Sequence, residues 1–138
     1  HVVTGGVVQG YFLSSYSARK LGMRTTGHAG GSQNLSLTSR LTLPGDNLDA
    51  MIRRLGRGLL VTELMGQGVN YVTGDYSRGA SGFWVEGGRI VHPVEEITIA
   101  GNLRQMFRDI VAVGADVYVM GAKSVGSVLV EKMKLAGA

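Results

Sequence analysis

Twenty-two glycines, scattered without a period along a 138-residue chain that has only two prolines, set the first limit on the fold. Average chains carry about 7% glycine. Glycine is tolerated where the backbone turns sharply and weakens the interior of a helix or strand. Scattered glycine at this density therefore suits many tight turns, and with them many short strands. Apolar residues make up 44% of the chain, enough to build a core in one domain and too many for a disordered segment.

The hydrophobic pattern supplies the elements. Val7 to Ser15 reads as a strand with a bulge at Gly10, and Tyr16 to Leu21 as a helical turn ended by Gly22. Residues 27–34 form a glycine loop. Leu35, Leu37, Leu41 and Leu43 alternate and predict a strand over 35–43. After Pro44-Gly45, Asp46 or Asn47 caps a helix whose stripe is Leu48, Met51, Ile52 and Leu55. Leu59 to Met65 and Val69 to Thr73 read as strands. Gly87-Gly88 is a hairpin signal between Gly82–Glu86 and Arg89–Val91. A strand follows over 94–100, with Val94 expected on the face opposite Ile97 and Ile99. Asn102 caps a helix bearing Leu103, Met106, Phe107 and Ile110, which ends near Gly114. Val117 to Met120 and Ser127 to Val130 close the chain. The expected fold is a single β-rich α+β domain of about eight strands, with two or three short helices on its outside.

Several chemistries are excluded or unsupported. There is no cysteine, so the chain holds no disulfide, thiolate nucleophile or cysteine metal ligand. This fits a cytoplasmic setting. No apolar run approaches the ~20 residues of a membrane helix, and no signal peptide is visible. The three histidines, His1, His28 and His92, have no partner at zinc-binding spacing. The loop Gly27 to Ser32 lacks the lysine of a phosphate loop. None of Ser17, Ser32, Ser77 and Ser81 sits in a nucleophile elbow. Glu95 and Glu96 are adjacent, hence on opposite faces of a strand, and Asp75 and Glu63 are lone carboxylates. The net charge of +4 gathers at Arg19, Lys20 and Arg24 and at Arg53, Arg54 and Arg57. These clusters lack interleaved aromatics and read as solvated faces rather than a nucleic-acid surface. With His1 in first place and no start signal, the chain is expected to begin inside a longer protein.

Residues 73–86 stand apart: Thr73-Gly74-Asp75-Tyr76-Ser77-Arg78, then Gly79 to Glu86 with Phe83 and Trp84. Two accounts fit this mix. Asp75 and Arg78 can pair across a turn and pin a loop. Alternatively the segment is a rim that grips an extended peptide or a partner, with aromatics for contact area and Arg78 for charge-assisted hydrogen bonds.

Val72 to Val85, followed by Pro93 to Leu103, resembles the C-terminal region of the TldD/PmbA family, in particular its PmbA (TldE) branch. Tyr16 to Gly22, Gly58 to Leu64 and Glu131 to Gly137 match as well, so the resemblance covers essentially the whole chain. It implies a curved antiparallel sheet or barrel-like domain at the C-terminal end of a longer protein. It implies a heterodimeric cytoplasmic zinc peptidase that degrades unfolded peptides and matures peptide precursors. The family's older description, modulator of DNA gyrase, leaves a regulatory or nucleic-acid-binding module as the alternative. Zinc in such a pair belongs to the TldD-type subunit, through a His-Glu-x-x-x-His helix and a cysteine. This sequence has neither, so no catalytic or metal residue is expected here. The partners implied are a TldD-type metal-bearing subunit and an extended or unfolded peptide, with no membrane, and nucleic acid enters only with the alternative reading. An isolated domain with exposed strand edges is expected to self-associate. The residues expected to line a substrate or partner surface are Thr73, Gly74, Asp75, Tyr76, Ser77, Arg78 and Trp84.

Overall fold

A computed structural model describes residues 1–137. In chain order the elements are β1 (Val3–Thr4), β2 (Val7–Val8), α1 (Ser15–Lys20), β3 (Leu35–Leu37), α2 (Leu48–Leu55), β4 (Gly58–Met65) and β5 (Asp75–Glu86). They continue with β6 (Arg89–Asn102), α3 (Leu103–Arg108), β7 (Ile110–Val113), β8 (Tyr118–Met120), β9 (Lys123–Val125), β10 (Val128–Val130) and β11 (Lys134–Ala136). The expected β-rich α+β class with short helices is what forms. The described sheets are open, and none closes into a barrel.

The backbone gathers into two compact units. The first comprises His1–Ser36 and Val119–Ser124. Here the strand expected over 7–15 shrinks to β2, paired with β1 across Gly5-Gly6. Ser14 instead caps α1, its Oγ accepting from the Ser17 N–H at 3.1 Å. Leu13 and Ala18 are buried, and the Leu13 N–H donates to Thr26 Oγ1 at 2.7 Å. His28 meets Phe12 edge to face at 5.1 Å, and its Nδ1 lies 2.9 Å from Thr26 Oγ1.

The second unit runs from Leu37 to Tyr118 and resumes at Val125. Its centre is an antiparallel sheet in the order β11-β6-β5-β4. The β5–β6 hairpin turns on Gly87 and Gly88 at φ 58° and 71°, the left-handed pair that a tight hairpin turn demands. Asn47 caps α2 by accepting from the Ala50 N–H at 3.0 Å, and Met51 and Ile52 are buried as the helical stripe predicts. Ala80, Ile97 and Ile99 form the core cluster, with Leu59, Val61, Tyr76, Val94 and Met133 against it.

A double irregularity sets that cluster. Along β6 the register jumps from Ala80↔Ile97 to Gly82↔Val94, so Glu95 and Glu96 together oppose Ser81. Glu96 takes a left-handed φ of 57°. Along β4 the register skips Thr62 at the same level. The expectation that Val94 lies opposite Ile97 and Ile99, and the simple opposite-face reading of Glu95 and Glu96, both assumed unbroken alternation. The bulge restores Val94 to the core face. Between the two bulges Gly82 lies so close to β4 that a Cβ would overlap the Leu60 carbonyl.

Other strand expectations fail for local reasons. Only Leu35–Leu37 of the 35–43 segment is a strand, since Leu41 and Leu43 are exposed in the turn leading to Pro44. Residues 69–73 form a turn around Asn70, with a single bridge between Val69 and Tyr76. The helix from Asn102 ends at Arg108, and Ile110 begins β7 instead of completing the stripe.

Candidate functional site

The segment singled out in the sequence divides into a knot, a clamp and a distant aromatic. The knot is built on two asparagines. Asn70 Oδ1 accepts from the N–H groups of Val72 and Thr73 at 2.9 and 3.1 Å. Side-chain carbonyls of this kind form local turns that compete with a strand. Asn102 works from the other side. Its Oδ1 caps α3 by accepting from the Arg104 N–H at 3.1 Å, while its Nδ2 donates to the Thr73 carbonyl at 3.0 Å and to Asp75 Oδ1 at 3.3 Å. Thr73 Oγ1 donates to Asp75 Oδ2 at 2.7 Å. Gly74 crosses the knot at φ 80°, and a Cβ there would meet the Asn102 amide at 3.2 Å.

Asp75 and Arg78 do not pair. Three residues apart on one strand, they point to opposite faces. Arg78 is the clamp: its guanidinium donates to the Leu64 carbonyl at 3.2 Å and to the Met65 carbonyl at 3.5 Å, both at the end of β4. Of the two accounts of this loop, the pinning is therefore done by Asn70 and Asn102 rather than by an Asp75–Arg78 ion pair.

The backbone of residues 75–77 is committed on both sides. Asp75, Tyr76 and Ser77 pair with Asn102, Gly101 and Ala100 on β6. On the other flank the Asn70 N–H donates to the Asp75 carbonyl and the Ser77 N–H to the Gly68 carbonyl, at 2.8 and 2.7 Å. What this stretch can offer a ligand is side chains: the Ser77 hydroxyl, the edge of the half-buried Tyr76 and the Arg78 guanidinium. A shallow depression lined by Gln67 to Asn70 and Asp75 to Ser77 lies beside them.

Trp84 sits elsewhere, where β5 nears its end. The Arg57 guanidinium lies 5.9 Å from its ring centre, and Arg57 Nε is 3.8 Å from Glu86 Oε1. Trp84 lines a groove shared with α2 and β4, not the knot at 70–78. Asn70 and Asn102 were the organising residues the sequence reading missed or took only for a cap. The Asx-turn pattern Asn70-x-x-Thr73-Gly74-Asp75 was the available signal.

Among the described residues no three His, Cys, Asp or Glu side chains come together. No described helix is long and apolar enough to cross a membrane.

Comparison with known proteins adds relationship to this geometry. The profile of the PmbA/TldA metallopeptidase C-terminal domain matches residues 1–137. The chain is 52% identical over 136 residues to Metalloprotease PmbA of Escherichia coli O157:H7, covering 99% of this chain and 29% of that protein. It is 53% identical to a Metalloprotease PmbA homolog of Haemophilus influenzae, covering 99% of this chain and 30% of that one. Among solved structures, a candidate modulator of a DNA gyrase from Thermotoga maritima superposes with a TM-score of 0.79 at 37% identity, covering 98% of this chain and 32% of that one. One from Bacteroides thetaiotaomicron gives 0.84 at 31% identity, with 99% and 30% covered. The chain therefore spans about 30% of the length of the curated relatives it matches.

Proposed function

This chain belongs to the PmbA/TldA metallopeptidase C-terminal domain family, and from that premise we propose that it serves as the C-terminal domain of a PmbA-type, non-catalytic component of a cytoplasmic two-subunit zinc peptidase. The observation that carries the reading is the 52% identity to Metalloprotease PmbA across 99% of the chain. The sequence has no cysteine, and among the described residues no three His, Cys, Asp or Glu side chains come together, which supports assigning the metal to a TldD-type partner. On this reading the domain helps form the cleft in which an unfolded peptide lies extended. Tyr76, Ser77 and Arg78 contribute side-chain contacts positioned by the knot of Thr73, Gly74 and Asp75, and Trp84 contributes from the separate groove it shares with α2 and β4.

Co-expression with a metal-bearing TldD-type subunit tests the reading. The pair is expected to cleave an unfolded peptide faster than the partner alone, and equal rates would refute the assignment. The second reading, a module acting on gyrase or nucleic acid, draws on the names of the two structural neighbours and on the net charge of +4. It requires salt-dependent binding to duplex DNA.

A further inference from the structure

We propose that the first unit binds an acidic peptide segment, one with aliphatic or aromatic side chains between its carboxylates, at the surface formed by residues 16–24. This rests on the peptide-handling reading above and names the class of peptide the chain takes.

Charge is divided unevenly between the two units. The first holds Arg19, Lys20, Arg24 and Lys123 and not one Asp or Glu. All 10 acidic residues of the chain lie in the second unit, together with every other basic residue. The formal net charge of +4 is therefore carried entirely by the first unit. Its four cations are exposed, and none is in an ion pair among the described residues. A helix C-terminus favours cations in its last turn, which accounts for Arg19 and Lys20. It does not account for Arg24 and Lys123, or for a unit without acids. Uncompensated cations attract anions and favour carboxylates on whatever docks there.

Arg19, Lys20 and Arg24 are close in sequence, and the backbone between them is fixed. α1 closes at Gly22, φ 62°, with the Gly22 N–H donating to the Arg19 carbonyl at 3.3 Å and the Met23 N–H to the Ala18 carbonyl at 2.8 Å. This left-handed cap leaves little backbone freedom to be lost on binding. Apolar surface lies between the charges: Tyr16, Leu21 and Met23 are 67%, 59% and 46% exposed. Lys20 Nζ stands 5.8 Å from the Tyr16 ring centre, so charge and ring form one contact. Tyrosine, methionine and arginine are residues that protein-binding surfaces gather. A run of carboxylates alone would leave the apolar part unused, so the segment that fits carries aliphatic or aromatic residues between its acids. A nucleic acid fits less well. A glycine turn holds phosphate through free amides. In the loop at 27–31 the Gly27, His28 and Gly31 N–H groups donate instead to Thr25 Oγ1, the Leu13 carbonyl and the His28 carbonyl.

The probe is an acetylated, amidated peptide of glutamates alternating with leucine and tyrosine, titrated by calorimetry so that no charged label intrudes. Saturable binding is expected, weakening about fivefold between about 0.05 and about 0.5 M salt. A twin with lysine for glutamate should bind at least about tenfold more weakly, and one with serine for leucine and tyrosine about fivefold more weakly. Arg19→Glu with Lys20→Glu should lower affinity for the acidic peptide at least about tenfold and raise it for the lysine twin. Lys132→Glu with Lys134→Glu makes the same change of net charge on the second unit and should shift either affinity by no more than about twofold. Equal loss from the two double variants would make net charge the cause and overturn the proposal, as would equal binding of the acidic peptide and its lysine twin. Tighter binding of a single-stranded oligonucleotide of the same charge would overturn it too. The peptide twins need no altered protein, so they decide the matter even where a variant fails to fold. Binding at residues 16–24 without faster cleavage of the peptide by the two-subunit pair would sink the peptidase reading and leave the surface in place. Faster cleavage that Arg19→Glu with Lys20→Glu leaves unchanged would sink the surface alone.

Discussion

Asn102 is the residue whose loss the structure prices most clearly. Replacing it by alanine removes the α3 cap, which costs about 1 kcal/mol. It also removes two amide donations, to the Thr73 carbonyl and to Asp75. Both are solvent-accessible, so each contributes about 0.5 kcal/mol. The sum is about 2 kcal/mol, or a fall in Tm of about 6–8 °C for a chain of this size. Asn102→Asp is the sharper variant, because it keeps the cap acceptor and converts the donor into an oxygen facing the Asp75 carboxylate. It should cost about as much as alanine, recover partly in high salt, and recover further when combined with Asp75→Asn. Urea titration with linear extrapolation supplies the free energies, and exchange at the Leu103 amide, which donates to the Gly74 carbonyl, reports the knot directly. If Asn102→Asp proves as stable as the parent, or alanine costs under about 0.5 kcal/mol, then the amide does not tie residues 73–75 to α3 and the reasoning fails.

Three further outcomes are expected. Gly82→Ala should destabilise by about 2–3 kcal/mol, since its Cβ would overlap a backbone carbonyl, whereas Gly79→Ala, whose Cβ would meet Met65 at ordinary contact, should change stability by under about 1 kcal/mol; urea curves compare the two. Glu96→Gly should stabilise by about 0.5–1 kcal/mol, because the bulge holds this residue at φ 57°, and a fall in Tm would refute the strained reading. Arg57→Ala should shift the emission of Trp84, the only tryptophan, yet cost no more than about 0.5 kcal/mol because the Arg57–Glu86 pair is exposed; unchanged emission would remove the cation–π contact.

Where the signal was local, the sequence was sufficient. The helical stripe of Leu48, Met51, Ile52 and Leu55 with its asparagine cap, the Gly87-Gly88 hairpin and the Asn102 cap all form where the pattern puts them, because each depends on residues within one or two turns of chain. The resemblance over 72–103 pointed to the right family for a similar reason: it lies in the order of residues. The strands at 7–15, 35–43 and 69–73 were misjudged because alternation states only that a strand is affordable. Whether one forms depends on a neighbour to pair with, and Ser14, Asn70 and Pro44 offered local structure instead. Bulges at Thr62 and Glu95–Glu96 are equally silent in the sequence, since they belong to how β4, β5 and β6 pair, with β5 lying close against β4 at Gly82. The candidate site shows the same division. Composition alone marked 73–86 as unusual. Only tertiary pairing decided that Asp75 is held by Asn102 and that Arg78 closes the end of β4. A side chain's chemistry is written in the sequence, but the direction it points and the backbone groups left unpaired are set by which strands lie side by side.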